Sequence, residues 1–282
     1  LNDVAESHAH RQLIDQVGDG LPVVPLDLVD INSRGLLGAI EQDDKVAAAN
    51  IVSALSSNGL VACSLGADPS DYPALVDEGH RAWAYMRPGE VRAIDGQVVS
   101  GVSPSGATRG DRYVCYAELD GAAREWPALA KVDRAFGSIA AWLSPLAEAS
   151  RLRLELTRRS DMYLACFPGS GLGYNAHLDG NERCRLTIVL YTSNDWNEEH
   201  GGCLHMLDEA AGCWWSLPPQ RDTLVIFRSE RILHKVQPCY HSPRYALTVF
   251  LHEGDGGGTP ITQQQKEKME RIALMSSIAG YL

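Results

Sequence analysis

The feature that most constrains this chain is a change of texture at Arg151. Beyond it the sequence breaks into short runs rich in β-branched and aromatic residues: Leu152–Leu156, Met162–Phe167, Arg185–Tyr191, Cys203–Leu207, Thr223–Phe227 and Arg244–Leu251. Turn-forming residues separate them, at Pro168-Gly169, Asn194-Asp195, His200-Gly201-Gly202 and Pro218-Pro219. Before Arg151 the pattern is mostly helical. Asp43–Asn58 places Ala48, Ile51, Val52 and Leu55 at helical spacing, with Gly59 as a stop. Asp71–Met86 follows Ser70 as an N-cap and ends before Pro88. Trp126–Ala149 aligns Leu129, Val132, Phe136, Ile139 and Trp142, and Pro145 is expected to kink or end it. Short extended pieces are expected at Val23–Leu26 and Val61–Leu65, and a long loop or hairpin over 87–112. After a Gly-rich linker, Gly254–Gly258, the stretch Thr262–Ala279 is helical again. Helices, then strands, then one helix predict an α+β fold, with helices buttressing a β-sandwich or jelly roll.

Length and charge narrow the function. A chain of 282 residues carries one sizeable core and is short for two, so residues 1–282 are read as a single domain. A formal net charge of -11 argues against a nucleic-acid-binding surface. No stretch has the roughly 20 apolar residues that cross a membrane, and residues 1–20 hold no apolar signal core. Seven cysteines, at 63, 115, 166, 184, 203, 213 and 239, form no CxxC pair and are odd in number. They are expected to be reduced thiols, which points to the cytoplasm or nucleus.

The chemistry gathers in the strand region. In His177-Leu178-Asp179 the first and third side chains of an extended segment point the same way, so an imidazole and a carboxylate can reach one point. His234 follows where another strand is expected to end. Two His and one carboxylate on one face of a metal are the ligands of non-haem iron(II) oxygenases. The HxD pair alone is weak: nine His and 36 acidic residues among 282 give about one such pair by chance. Arg244 strengthens it. Alternation along Arg244–Phe250 puts Arg244, Ala246, Thr248 and Phe250 on one face. A charge pointing into a barrel needs an anionic partner, and a carboxylate taken by the guanidinium fork is the natural one.

With these residues in place, Met162–Leu251 resembles the prolyl 4-hydroxylases, in the cytoplasmic branch that includes the hypoxia-inducible-factor and SCF-adaptor prolyl hydroxylases. The matching pieces are Ala165-Cys166-Phe167-Pro168-Gly169, Gly173-Tyr174, His177-x-Asp179, Arg183-Cys184, Asp195-Trp196, Gly201-Gly202, His234-x-Val236-Gln237-Pro238 and Arg244-Tyr245-Ala246-x-Thr248-Val249. The resemblance implies a double-stranded β-helix (jelly roll) over 151–253, supported by helices and a substrate loop in 1–150 and a C-terminal helix in 254–282. It implies Fe(II) held by His177, Asp179 and His234. It implies 2-oxoglutarate bound through Arg244 and Thr248, with O2 as the oxidant and ascorbate as reductant. Arg183 and Tyr174 match positions near a peptide substrate, Phe250 stands where the relatives carry a Trp, and Arg109 and Asp111 resemble a loop that folds over the substrate. Phe167 departs from the pattern, since the hypoxia enzymes carry a cosubstrate-binding Tyr there. Leu190 stands where a second such Tyr is expected, and one extra residue before Asp195-Trp196 makes Tyr191 the candidate for that role.

The activity implied is hydroxylation of a proline in a protein, with an SCF ubiquitin-ligase adaptor, a hypoxia-inducible-factor-like protein or a translation factor as the target classes, and oxygen sensing as a role. Three rivals share parts of the pattern: a same-fold oxygenase acting on a small molecule such as a free amino acid, an inactive binding module, and a zinc hydrolase, which needs a general base beside its metal. His200, His205 and His241 are read as packed or surface residues, and Trp214-Trp215 as core or sheet-face packing.

Overall fold

The computed structural model describes residues 21–88, 91–92, 98–99, 113–116, 126–149, 152, 154–179 and 183–253. The strands expected from alternation form two facing sheets. The larger pairs β2 (Leu60–Ser64), β13 (Thr223–Arg228), β10 (Cys184–Tyr191), β15 (Arg244–Glu253), β8 (Tyr163–Phe167), β6 (Tyr113–Tyr116) and β3 (Arg87–Pro88) in that order, with β7 (Leu156–Arg159) also on β15. The smaller has the order β1 (Val23–Pro25), β12 (Cys213–Leu217), β11 (Leu204–Asp208), β14 (His234–Tyr240) and β9 (Ser170–His177). A separate ribbon joins β4 (Val91–Arg92) to β5 (Val98–Val99). Pairing is antiparallel in both large sheets except where β1 lies parallel to β12. Two antiparallel sheets buttressed by helices are the expected jelly roll.

Alternation along each strand sorts its side chains between two cores. On β10, Leu186, Ile188 and Leu190 turn to the helical side, whereas Val189 and Tyr191 turn to the space between the sheets. Leu204, Met206, Leu217, Val225, Phe227 and Ala246 fill that space with them. The outer face of the larger sheet is covered by α1 (Gly35–Glu41), α2 (Lys45–Ser57), α3 (Tyr72–Ala82) and α4 (Pro127–Ala149). Leu36, Ile51, Leu55, Leu75, Phe136, Ile139 and Leu143 bury their side chains there. Asp44 starts α2 by accepting from the amides of Val46 and Ala47, both at 3.0 Å.

Several expectations need correcting. Pro145 does not end its helix: α4 runs on to Ala149, and Leu143 and Ala147 on either side of the proline are buried against the sheet. That packing outweighs the lost backbone hydrogen bond. Ser70 does not cap α3. It lies in a 3-10 turn (Pro69–Asp71) that Asp68 caps, and α3 starts at Tyr72. The strand expected at Leu152–Leu156 begins at Leu156. Gly169–Gly173, whose glycines read from the sequence as a turn before the metal-binding strand, runs into that strand, since β9 starts at Ser170, and His234 opens a strand where it was expected to follow one. The linker at Gly254–Gly258, the helix expected at Thr262–Ala279 and most of the 87–112 loop lie outside the described residues. The free thiols Cys63, Cys166, Cys184, Cys203, Cys213 and Cys239 are all buried.

The start of α4 is tied to α3 by a buried acid. The Glu78 carboxylate accepts from the amides of Ala128 (2.9 Å) and Leu129 (2.8 Å), two donors with no partner inside their own helix. Glu78→Ala should lower stability by about 2 kcal/mol. Urea unfolding measures this, and an unchanged midpoint would refute the tie. On β11, His205 is buried beside Trp214, with neither ring nitrogen hydrogen-bonded. Burial, with the nearby Lys235 charge, pushes its pKa down to about 4. The unfolded chain then binds a proton that the folded one refuses between pH 6.5 and 4. Stability should therefore fall through that window as pH drops, and less steeply in His205→Leu. Urea midpoints at pH 7.5 and pH 5 test this, and a difference between the two proteins that does not change with pH would sink it.

Candidate metal centre

The register between β9 and β14 sets the site. It pairs His177 with His234 across the two strands, and their rings lie 4.2 Å apart. Such close pairing holds only while the strands keep this alignment, and Gly173 permits it. A Cβ there would sit 2.6 Å from the Val236 carbonyl oxygen, so another residue would push β14 away. Asp179 follows β9 and turns its carboxylate to both rings. Its Oδ1 is 3.5 Å from His177 Nε2 and its Oδ2 is 3.5 Å from His234 Nε2.

The two rings are held differently. His234 is buried, its Nδ1 lies 3.0 Å from the Ile232 carbonyl, and its ring meets Phe227 at 4.8 Å. A carbonyl only accepts, so Nδ1 donates to it, and Nε2, which faces Asp179, is the nitrogen that could ligate a metal. His177 is held edge-on by Tyr174, with centroids 4.4 Å apart. Burial alone would raise the Asp179 pKa. The His234 and His177 imidazoles, with hydrogen bonds from His177 and Thr187, outweigh burial and hold it well below the usual carboxylate range. The Thr187 hydroxyl donates to Oδ2 at 2.9 Å. Ligand atoms of His177, Asp179 and His234 all lie within 4.8 Å of one another. Two neutral imidazoles and one carboxylate could hold a divalent transition metal such as Fe(II).

Behind this cluster the space between the sheets narrows to a pocket. Tyr163, Phe167, Val189, Tyr191, Phe227, Arg244 and Thr248 line it together with the three candidate ligands. Arg244 is buried, and its guanidinium sits between the rings of Phe167 (5.0 Å) and Tyr191 (4.8 Å). Among the described residues its Nε has no hydrogen-bond partner, and no carboxylate pairs with the guanidinium. The rings hold the cation in place but leave its charge unanswered. A carboxylate-bearing small molecule fits that need, so both the donor set and the orphaned guanidinium suit an iron(II) site with a dicarboxylate cosubstrate. Gly202 makes room for the arginine: at φ +69°, a Cβ there would come within 3.0 Å of Arg244 Cδ.

Tyr191 reaches this pocket through a β-bulge. Cys184 pairs with His252 and Leu186 with Leu251, so β10 fits in one residue more than β15 at Arg185. The extra residue shifts the alternation so that Tyr191 faces Arg244 and Leu190 faces the helices. Burial raises the Tyr191 pKa against the opposing Arg244 charge, so its hydroxyl stays protonated.

The remaining candidates divide. Tyr174 and Thr248 line the pocket, and Phe250 stacks near Tyr163 at 5.8 Å, beyond Thr248 on the same strand face. Arg183 is exposed, and its carbonyl accepts from the Glu253 amide. Arg109 and Asp111 lie outside the described residues. Tyr163, Thr187 and Phe227 were missed. Alternation along Met162–Phe167 could have found Tyr163, because it shares a face with Phe167. A separate cavity of about 420 Å³, lined by Arg34, Leu37, Leu75, Lys131 and Leu190, lies among the helices and carries none of this chemistry.

Residues 162–252 match the family described as the 2OG-Fe(II) oxygenase superfamily. Egl nine homolog 1 of Homo sapiens is 36% identical over 106 residues, covering 36% of this chain and 24% of that protein. Prolyl hydroxylase EGLN3 of Homo sapiens is 37% identical over 102 residues, covering 34% of this chain and 42% of that protein. The match thus spans about a quarter of the first relative and two fifths of the second. A structure of a prolyl hydroxylase in complex with a hypoxia inducible factor oxygen degradation domain peptide fragment, from Trichoplax adhaerens, superposes with a TM-score of 0.63 at 21% identity. That superposition covers 83% of this chain and 95% of the other, and it shows the shared fold.

Arg244 supplies a test that separates binding from folding. Arg244→Met removes the buried, unpaired charge, so the ligand-free protein should be as stable as wild type or more so. Affinity for 2-oxoglutarate, titrated by calorimetry in the presence of Mn(II), should fall by at least about 100-fold. A variant that unfolds, or that binds 2-oxoglutarate like wild type, would show that the guanidinium serves the fold instead.

Proposed function

We propose, from the match of residues 162–252 to the 2OG-Fe(II) oxygenase superfamily, that this chain is an iron(II)- and 2-oxoglutarate-dependent dioxygenase that hydroxylates proline in a protein or peptide. The observation that carries this reading is the pairing of the His177/Asp179/His234 cluster with an orphaned Arg244 in the same pocket. His177, Asp179 and His234 hold the iron. Arg244, flanked by Phe167 and Tyr191, takes the far carboxylate of 2-oxoglutarate, and the Thr248 and Tyr191 hydroxyls lie on the path between. The iron and its cosubstrate, when bound, supply the oxidation of an unactivated C–H bond. The protein's own part is to orient the cosubstrate and to keep water from the narrow space between the sheets.

The prolyl substrate is the finer part of the proposal, and what supports it is the character of the relatives, both prolyl hydroxylases or their homologues. Tyr174, which lies against His177, and Phe250, which lies against Tyr163, are the described candidates for holding a peptide. The buried free thiols suit a reducing compartment, the cytoplasm or nucleus. Oxygen sensing goes with O2 as a substrate and requires a weak affinity for it. Among the described residues, those lining this pocket include no second acid to serve as general base, which speaks against a zinc hydrolase.

The test is succinate formation by purified protein with Fe(II), ascorbate and 2-oxoglutarate, with and without a lysate of its own organism. Stimulation by the lysate, loss of at least about 100-fold in His177→Ala, and one added oxygen on a proline by mass spectrometry are the expected results. Stimulation by free amino acids alone would replace the protein substrate with a small one. No succinate from iron-loaded protein would make it a binding module.

A further inference from the structure

Asp179 is backed by a buried chain of polar groups that the metal site itself does not require. Thr187 Oγ1 is 2.9 Å from Asp179 Oδ2 and 2.9 Å from Ser229 Oγ, and Cys184 Sγ is 3.2 Å from Ser229 Oγ. Thr187 and Ser229 are fully buried and Cys184 is 1% exposed. Two segments supply these groups: Cys184 and Thr187 come from β10, and Ser229 from the turn after β13. The bulge at Arg185 is what brings Cys184 and Thr187, three residues apart, to the same chain of contacts. The backbone fixes Ser229 as well, since its amide donates to the Arg185 carbonyl at 3.0 Å.

Proton counting sets the direction of every bond. A carboxylate that ligates a metal has no proton and can only accept. Thr187 has one hydroxyl proton and must give it to Asp179. It can then meet Ser229 only as an acceptor, so the Ser229 proton points to Thr187. Ser229 in turn accepts from the Cys184 thiol, which burial keeps protonated by pushing its pKa up to about 12. All three protons therefore point toward Oδ2. Each bond in such a row polarises the next and strengthens it.

We propose that Thr187 and Ser229, backed by Cys184, are positioning residues that tie down Asp179 Oδ2, so that the carboxylate presents one oxygen to the metal and not two. A carboxylate that chelated with both oxygens would take a coordination position that a cosubstrate or O2 needs. The hydrogen bond from Thr187 opposes that rotation. This rests on the proposed metal centre, and it concerns how the ligand is oriented, which the identity of the ligands leaves open.

Mn(II) alone, titrated calorimetrically into wild type, Thr187→Val, Thr187→Ser and Ser229→Ala, is the probe. Thr187→Val keeps the shape and removes the hydroxyl, and its Mn(II) affinity should drop about 10-fold or more. Thr187→Ser restores the donor and should restore the affinity. Ser229→Ala leaves Thr187 able to donate and should lose less, about 3-fold. The visible d–d bands of the Co(II)-loaded protein should shift in Thr187→Val and return in Thr187→Ser, which a general loss of packing would not produce. If Thr187→Val does not fold, the loss in Ser229→Ala beside an unchanged Thr187→Ser carries the test. Equal Mn(II) affinity and equal Co(II) spectra across all four proteins would overturn the positioning role while leaving the metal centre standing. No Mn(II) binding by wild type would bring down the metal centre, and the positioning role with it.

Discussion

The pairing of His177 with His234 across two antiparallel strands is the constraint on which the rest of the site depends. A strand slipped by one residue turns every side chain to the opposite face, and either imidazole would then point away from the interior. The alignment is enforced from several sides. Gly173 lets the Val236 carbonyl come close, Phe227 closes on the His234 ring, and Tyr174 leans on His177. Asp179 needs no strand of its own, because the two rings already mark where its carboxylate belongs.

Buried charge is treated differently here from elsewhere in the fold. Glu78 is answered by two helix amides, and Arg185 faces Glu253 at 2.8 Å where the strands β10 and β15 meet. Both close contacts inside the protein. Asp179 is balanced by imidazoles that would share a metal with it, and Arg244 has the faces of Phe167 and Tyr191 against it and, among the described residues, no carboxylate. This charge lies in the pocket, where a ligand can answer it. A fold selected for stability alone would not put a lone guanidinium between Phe167 and Tyr191, because desolvating it is costly.

The sequence made much of this legible, because the informative signals were periodic or local. Alternation exposed the runs that became β8, β10, β13 and β15, and it put Arg244 and Thr248 on one face. Spacing marked His177 and Asp179 as candidates, and the inward Arg244 and the family resemblance singled them out. What it hid was set by contacts between distant segments. The glycines around Gly171 read as a turn, although Gly173 lies within a strand because the Val236 carbonyl presses against it. Pro145 read as a kink or a stop, and burial of Leu143 and Ala147 carries α4 past it. Thr187 and Ser229 carried no signal. Isolated hydroxyl residues in apolar strands are common, and only the fold shows that these two meet beneath Asp179. The extra residue before Asp195-Trp196 favoured Tyr191 over Leu190 in the sequence, and the bulge at Arg185 is how the strand accommodates that choice.

That bulge shows how a barrel absorbs a change in length. Adding a residue to a paired strand would ordinarily invert everything downstream of it, exchanging pocket wall for outer surface. At Arg185 the addition is taken up in one step, next to an ion pair that keeps the looped-out side chain on the protein. Upstream and downstream parts of β10 therefore follow different phases, and each keeps its own inward face. Comparing such a strand with a relative position by position would pair Leu190 with a residue that does its neighbour's work. What the wall requires is a side chain at that place, and the bulge sets which residue of β10 supplies it.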